Sequence, residues 1–227
     1  MRLDHGDGPL FADRFEAGAQ LGARVGAMRW SDPVVLGMAR GGVPVAAAVA
    51  EALDAPLDVA VARKIGAPGR PELGLGAVTA EGPARYDEPR LAALGLTPAD
   101  LQTDCERERA EARRRLRRYR EIADPLPVTG RDVLLVDDGL ATGVTARAAL
   151  GELRAAGPRR MVLAAPVCAR NTQAALRAEA DDVVCVAAPA GFGAVGHWYR
   201  DFRQTSDEEV LAALTAGRRR LTRRGRA

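Results

Sequence analysis

Val133-Leu-Leu-Val-Asp-Asp-Gly-Leu-Ala-Thr-Gly-Val-Thr145 passes from a buried-strand pattern to paired acids to a helix start within a single short stretch. Val133 to Val136 is an apolar run suited to a strand covered on both faces. Asp137 and Asp138 fall at its carboxyl end, where open parallel sheets keep their ligand crevices. Ala141-Thr-Gly-Val-Thr145 then brings small residues and hydroxyls to the start of a helix expected to run on from Ala146 to Ala156. The first backbone N–H groups of that helix are free to hold an anion. Adjacent carboxylates accept the protons of a vicinal diol while the helix start binds a phosphate, so the stretch suits a sugar phosphate.

Working outward, the surrounding chain alternates strands and helices. Phe11 to Met28 has the spacing of an amphipathic helix, with Phe11, Phe15, Leu21, Val25 and Met28 on its covered face. Pro33 to Met38 is a short aliphatic strand; Ala39-Arg-Gly-Gly42 follows, then a helix from about Pro44 to Leu53, with glycines and an early proline fitting a tight strand-to-helix crossing. Leu57 to Ala62 predicts a second strand ending in Arg63-Lys64. Ile65 to Pro71 holds too many Gly and Pro for regular structure and is expected to be a mobile loop, with Glu72 to Thr79 returning as a strand or hairpin. Thr97-Pro-Ala-Asp100 carries a helix-start signature for a helix running to Glu121. Its acids lie early and its arginines late, which complements the helix dipole and allows a Glu111–Arg115 pair; this reads chiefly as a solvated, stabilising face. After the central stretch, Arg159–Val167 is a strand, Arg170–Glu179 a helix and Asp181–Ala188 a strand. The expected fold class is α/β, a mainly parallel sheet flanked by helices with right-handed crossovers. No G-x-G-x-x-G follows the first strand and no G-x-x-x-x-G-K-[ST] occurs, which argues against the common dinucleotide and P-loop sites.

Length and composition bound the reading. With 227 residues, 47% hydrophobic and 28% charged, the chain supports one large domain, here 1–216, with a helical insertion at about 97–122 and a hood at about 189–206. The formal charge is +3, and much of the excess lies in residues 217–227, expected to form a disordered basic tail. A nucleic-acid partner is disfavoured, because the basic surface is not broad. Cys105, Cys168 and Cys185 form no C-x-x-C pair and read as reduced. The start lacks a signal-peptide pattern and no stretch has the length and apolarity of a membrane span, so the expected location is cytoplasmic. With only His5 and His197, a His-based zinc site is disfavoured. A metal, if used, is expected to be Mg²⁺ brought in on a phosphate substrate.

The central stretch resembles the phosphoribosyl pyrophosphate (PRPP) signature of the type I phosphoribosyltransferases. It departs from the family pattern at Gly139, where the family usually has an aliphatic residue or Ser. The layout over about Phe11 to Leu214 is closest to predicted phosphoribosyltransferases of undefined acceptor. The resemblance implies Mg²⁺-dependent transfer of the 5-phosphoribosyl group from PRPP to a nitrogen acceptor, a nucleobase-like molecule or a small amine. It assigns the ribose diol to Asp137 and Asp138, and the 5′-phosphate to Ala141, Thr142, Gly143, Val144 and Thr145. Arg40, Gly41 and Gly42 inherit the pyrophosphate loop, and Arg63 and Lys64 become catalytic cations beside a closing loop. The segment Pro189 to Phe202 is similar in layout to the hood of purine-salvaging members, which would make Phe192 the acceptor-stacking ring and Asp201 a residue facing the metal; otherwise this aromatic cluster seals the sheet edge. Many purine-using members carry an Asp where this chain has Ala141, so the acceptor, or the group that assists it, stays open. A homodimer is compatible with the sequence. Two other readings use the same pocket: a noncatalytic PRPP-responsive regulator that binds nucleic acid, and a sugar-phosphate hydrolase.

Overall fold

Asp13 starts the first helix, α1 (Arg14–Gly26), by accepting the N–H groups of Phe15 and Glu16 on its carboxylate at 2.8 and 2.9 Å. This side-chain cap satisfies amides that have no partner inside the helix. From there the computed structural model, which describes residues 8–122 and 124–224, continues through β1 (Pro33–Met38), α2 (Gly42–Ala52) and β2 (Leu57–Ala60). An extension follows: β3 (Ala62–Ala67), β4 (Arg70–Thr79), β5 (Arg85–Tyr86), α3 (Glu88–Ala93) and α4 (Gln102–Arg120). The chain then returns through β6 (Asp132–Val136), α5 (Val144–Ala155), β7 (Arg160–Val167), α6 (Arg170–Leu176) and β8 (Asp182–Ala187), and finishes in α7 (Asp207–Arg224).

Five strands form a parallel sheet in the order β2-β1-β6-β7-β8, and β3-β4-β5 form a separate antiparallel sheet. The apolar run of β6 is explained by its two covered faces. Leu134 and Val136 point into a core shared with α1, α2 and α7, while Val133 and Leu135 point into one shared with α5 and α6. All four are fully buried. Each large aliphatic side chain so buried contributes about 1.5–3 kcal/mol.

Several expectations require correction. The first helix begins at Arg14 because Asp13 caps it; Phe11 instead forms a bridge with Tyr199, and Phe15 is 65% exposed. Ile65 to Pro71 is not a mobile loop. β3 pairs antiparallel with β4 from Ala62↔Thr79 to Ala67↔Arg70, leaving only Pro68 and Gly69 as the turn. The register shifts around Gly66 absorb the irregular composition within the strand. Arg63 and Lys64 therefore sit inside a strand rather than at the mouth of a loop. The return strand over Glu72–Thr79 is present as part of β4.

The insertion helix is preceded by a short 3₁₀ turn over Pro98–Leu101, with Thr97 and Asp100 forming the capping box. Glu111 pairs with Arg115 at 2.7 Å. The rest of α4 is not simply a solvated face. Arg109 donates to the Gly82 carbonyl at 2.7 Å, and Arg120 to the buried Asp58 at 2.5 Å. These bonds tie α4 to both the extension and the edge of the parallel sheet.

The basic tail is corrected as well, since α7 carries the chain helically to Arg224. Gly217 packs on Leu57, and Arg220 lies 3.5 Å from Glu51, which gives this segment a surface to dock on. Residues 225–227 and His5 lie outside the described residues. Among the described residues no helix is long and apolar enough to cross a membrane.

Candidate active site

The chain reverses its direction of winding between β1 and β6, since β1 leads outward to β2 whereas β6 leads to β7 and β8. Loops leaving the carboxyl ends of two such strands part from one another and open a crevice. Ala39–Gly42 forms one wall and Asp137–Gly143 the other. The walls approach closely. A Cβ on Gly41 would lie 2.0 Å from Asp138 Oδ2, and one on Gly42 would lie 2.6 Å from the Val136 carbonyl oxygen. Only glycine fits there, and the Ala39–Arg40 peptide within this loop is cis.

Asp137 and Asp138 are linked through the Asp138 N–H, which donates to Asp137 Oδ1 at 2.9 Å. Arg14 reaches Asp138 Oδ2 with both Nε and Nη2 at 2.8 Å. Its guanidinium lies 4.0 Å over the Phe202 ring, and Tyr199 donates its hydroxyl to the Asp138 carbonyl at 2.5 Å. Burial pushes the Asp137 carboxyl well above the usual carboxylate range, and the neighbouring Asp138 charge adds to the effect. Burial raises Asp138 too, against the pull of Arg14. Arg14 was not legible in the sequence, because its only local signal is a position just after a helix cap.

The start of α5 is open to an anion. Gly143 caps it at φ +71°, without any side-chain hydrogen bond to the first amides. A Cβ there would meet Leu176 Cδ1 at 2.8 Å and Thr172 Cγ2 at 2.9 Å. Thr172 donates its hydroxyl to the Ala141 carbonyl at 2.5 Å, and Leu140 is bonded on both sides to β7 and its continuation through Val167 and Ala169. The loop is therefore pinned before any ligand arrives. The departure at Gly139 also has a physical reason: a Cβ there would lie 2.3 Å from Val195 Cγ1 in the hood.

Ala141 and Thr142 line a hollow of ≈ 680 Å³ together with Arg170, Asn171, Phe192 and Gly193. Phe192, the ring expected to face an acceptor, thus lines the same hollow as Ala141 and Thr142. One of its faces stacks on Trp198, with centroids 6.1 Å apart and planes at 28°. Arg170 and Asn171 carry no sequence signal for this position; they reach it only because α6 follows β7 next to the loop.

The cations are arranged less simply. Arg40 Nη1 lies 3.9 Å from Asp207 Oδ1. Arg63 is turned onto Glu108 at 2.9 Å, and Lys64, the single lysine of the chain, onto Glu72 at 3.5 Å. Both are paired with acids of the extension. Asp201 likewise accepts the Arg203 N–H at 3.0 Å and lines a hollow with Asp13, Arg14 and Glu209. Among the described residues no group of three or more His, Cys, Asp or Glu side chains could hold a metal.

Comparison with known proteins shows the family. Two curated proteins of Mycobacterium tuberculosis, from strains CDC 1551 and H37Rv and each provisionally named a phosphoribosyl transferase, are 44% identical over 216 residues. The match covers 95% of this chain and 49% of each relative, so the chain spans about half their length. The crystal structure of TT1426 from Thermus thermophilus superposes with a TM-score of 0.76 at 42% identity, covering 91% of this chain and 98% of that one. The phosphoribosyl transferase domain family matches residues 17–199, and the chain belongs to it.

Proposed function

We propose that this chain transfers the 5-phosphoribosyl group of PRPP to a nitrogen acceptor, nucleobase-like or a small amine, and releases pyrophosphate. The observation that carries the reading is the acid pair Asp137–Asp138 beside the uncapped start of α5, in the crevice between β1 and β6. Asp137 and Asp138 hold the two ribose hydroxyls. The loop Ala141–Thr145 holds the 5′-phosphate through its amides and the hydroxyls of Thr142 and Thr145. The bond from the acceptor nitrogen to the anomeric carbon forms as the bond from that carbon to the pyrophosphate oxygen breaks.

Charge then develops in opposite senses at the two ends of the breaking bond. Arg40, with the backbone of Gly41 and Gly42, stabilises the departing pyrophosphate. Arg63 and Lys64 reach the same charge by exchanging Glu108 and Glu72 for phosphate oxygens. Mg²⁺ fits this site as an ion carried in on phosphate oxygens with most of its waters, where it would neutralise charge on the leaving group. Phe192 offers the acceptor an apolar face. Ala141 contributes no proton-transfer group, so the acceptor presents an already nucleophilic nitrogen or is assisted from elsewhere. Three free, buried cysteines suit a reducing, cytoplasmic setting.

Pyrophosphate release measured with PRPP, Mg²⁺ and a panel of nucleobases and small amines tests this function. Release that requires an acceptor is the expected outcome. Release with water alone would replace the transferase by a hydrolase. PRPP binding without any release would select a regulator.

A further inference from the structure

Asp207, the first residue of α7, is buried, yet it is not needed to cap that helix. Ser206 accepts the Glu209 N–H at 3.1 Å, and Glu209 accepts the Ser206 N–H at 2.8 Å, which completes a capping box without it. The Asp207 carboxylate is instead a meeting point for three side chains. Tyr119 donates its hydroxyl to Oδ1 at 2.6 Å, Arg118 donates to Oδ2 at 3.1 Å, and Arg40 Nη1 stands 3.9 Å from Oδ1. Tyr119 is fully buried. A phenylalanine would fill the same space without a hydroxyl to satisfy, so the hydroxyl is accounted for by the carboxylate it orients. The Arg40 contact is longer than a hydrogen bond, which leaves the guanidinium donors uncommitted.

Tyr119 and Arg118 belong to α4, the helix whose Glu108 also holds Arg63. One rigid helix therefore holds Arg63 directly through Glu108 and reaches Arg40 by way of Asp207, through residues ~16 Å apart along its axis.

We propose that Asp207, oriented by Tyr119, is a positioning residue for Arg40, fixing its guanidinium for the diphosphate part of the ligand. The proposal rests on the reading of the crevice as a PRPP site. It predicts a difference between two ligands that share the sugar and the 5′-phosphate: PRPP, which carries the diphosphate, and ribose 5-phosphate, which lacks it.

Calorimetric titration of both ligands into the full chain with Mg²⁺ reads this difference. Tyr119→Phe should weaken PRPP by about 3- to 10-fold and Asp207→Asn by about 10-fold, with ribose 5-phosphate unchanged. In an Arg40→Ala background neither change should weaken PRPP further. Equal losses for both ligands, or undiminished losses without Arg40, would overturn the proposal and leave a structural network. Tyr119→Phe removes one oxygen and keeps the ring, so it supplies the answer if Asp207→Asn does not fold. Failure of the unmodified chain to bind PRPP at all would overturn the functional reading itself, and the proposal with it.

Discussion

The β6 wall of the crevice and the hairpin extension are built by different means. On that wall, the acid pair and the loop after it follow directly from a central parallel strand, and backbone bonds to β7 and its continuation fix the loop. In the extension, Arg63 and Lys64 project from an antiparallel hairpin and are paired with Glu108 and Glu72. The first is fixed by backbone bonds, whereas the second is held by ion pairs between long side chains. Consecutive residues that bind through their backbone obey local rules, but long cationic side chains go wherever the nearest acid is.

Replacing both acids gives the largest expected effect and would break this contrast outright if it failed. Asp137→Asn with Asp138→Asn should weaken PRPP binding by about 100-fold or more, since both carboxyl partners of the diol and the anchor of Arg14 are lost. Unchanged calorimetric affinity would remove the acid pair from the site. The fit of the hood over the loop comes next. Gly139→Ala should destabilise the chain by about 1–3 kcal/mol through overpacking against Val195. Urea unfolding should show most of that loss restored when Val195→Ala is added; a Gly139→Ala variant as stable as the parent would mean the hood is not held there.

A smaller effect separates binding from stability on the same wall. The raised Asp137 carboxyl prefers its proton in the folded state, so the chain loses stability as pH rises from the ordinary carboxylate range through that raised value. Asp137→Asn should therefore melt higher than the parent at neutral pH, by ~2–4 °C for about 1 kcal/mol, while binding PRPP less well. A lower melting temperature would contradict the burial argument.

The smallest effect belongs to the extension. Arg114, with Arg115, holds the Glu111 carboxyl at about 2, so its contribution is present above the unfolded value and lost as pH falls toward about 2. Glu111→Gln should cost less than about 1 kcal/mol at pH 7, because the pair is partly solvated. Melting curves of parent and variant should converge on acidification; a gap that persists would point to packing rather than charge.

Much of the architecture was legible because hydrophobic period and short turns act over a few residues. The run Val133–Val136, the glycines before α2 and the box Thr97–Asp100 each announced an element. The turn of strand direction at Val61 was not announced. Leu57 to Ala62 reads as one strand, but its last residue belongs to the antiparallel sheet. The composition of Ile65–Pro71 misled for a related reason: a hairpin tolerates irregular residues where register shifts absorb them. Within the site, the acids and the loop were readable from their spacing. Arg14, Arg170 and Asn171 were not, since each is brought in by packing from a distant part of the chain.

The sequence by itself determined the strand–helix alternation of the parallel sheet, the acid pair at a strand end and the open helix start beside it. These depend on neighbouring residues and on backbone groups whose directions the local conformation sets. Only the tertiary structure decided that Arg14 grips Asp138, that Val195 requires Gly139, that Arg63 pairs with Glu108 and that Arg40 stands beside Asp207. Such choices are made by charge and volume between residues 45 to 167 positions apart, where sequence spacing carries no information about which groups will meet.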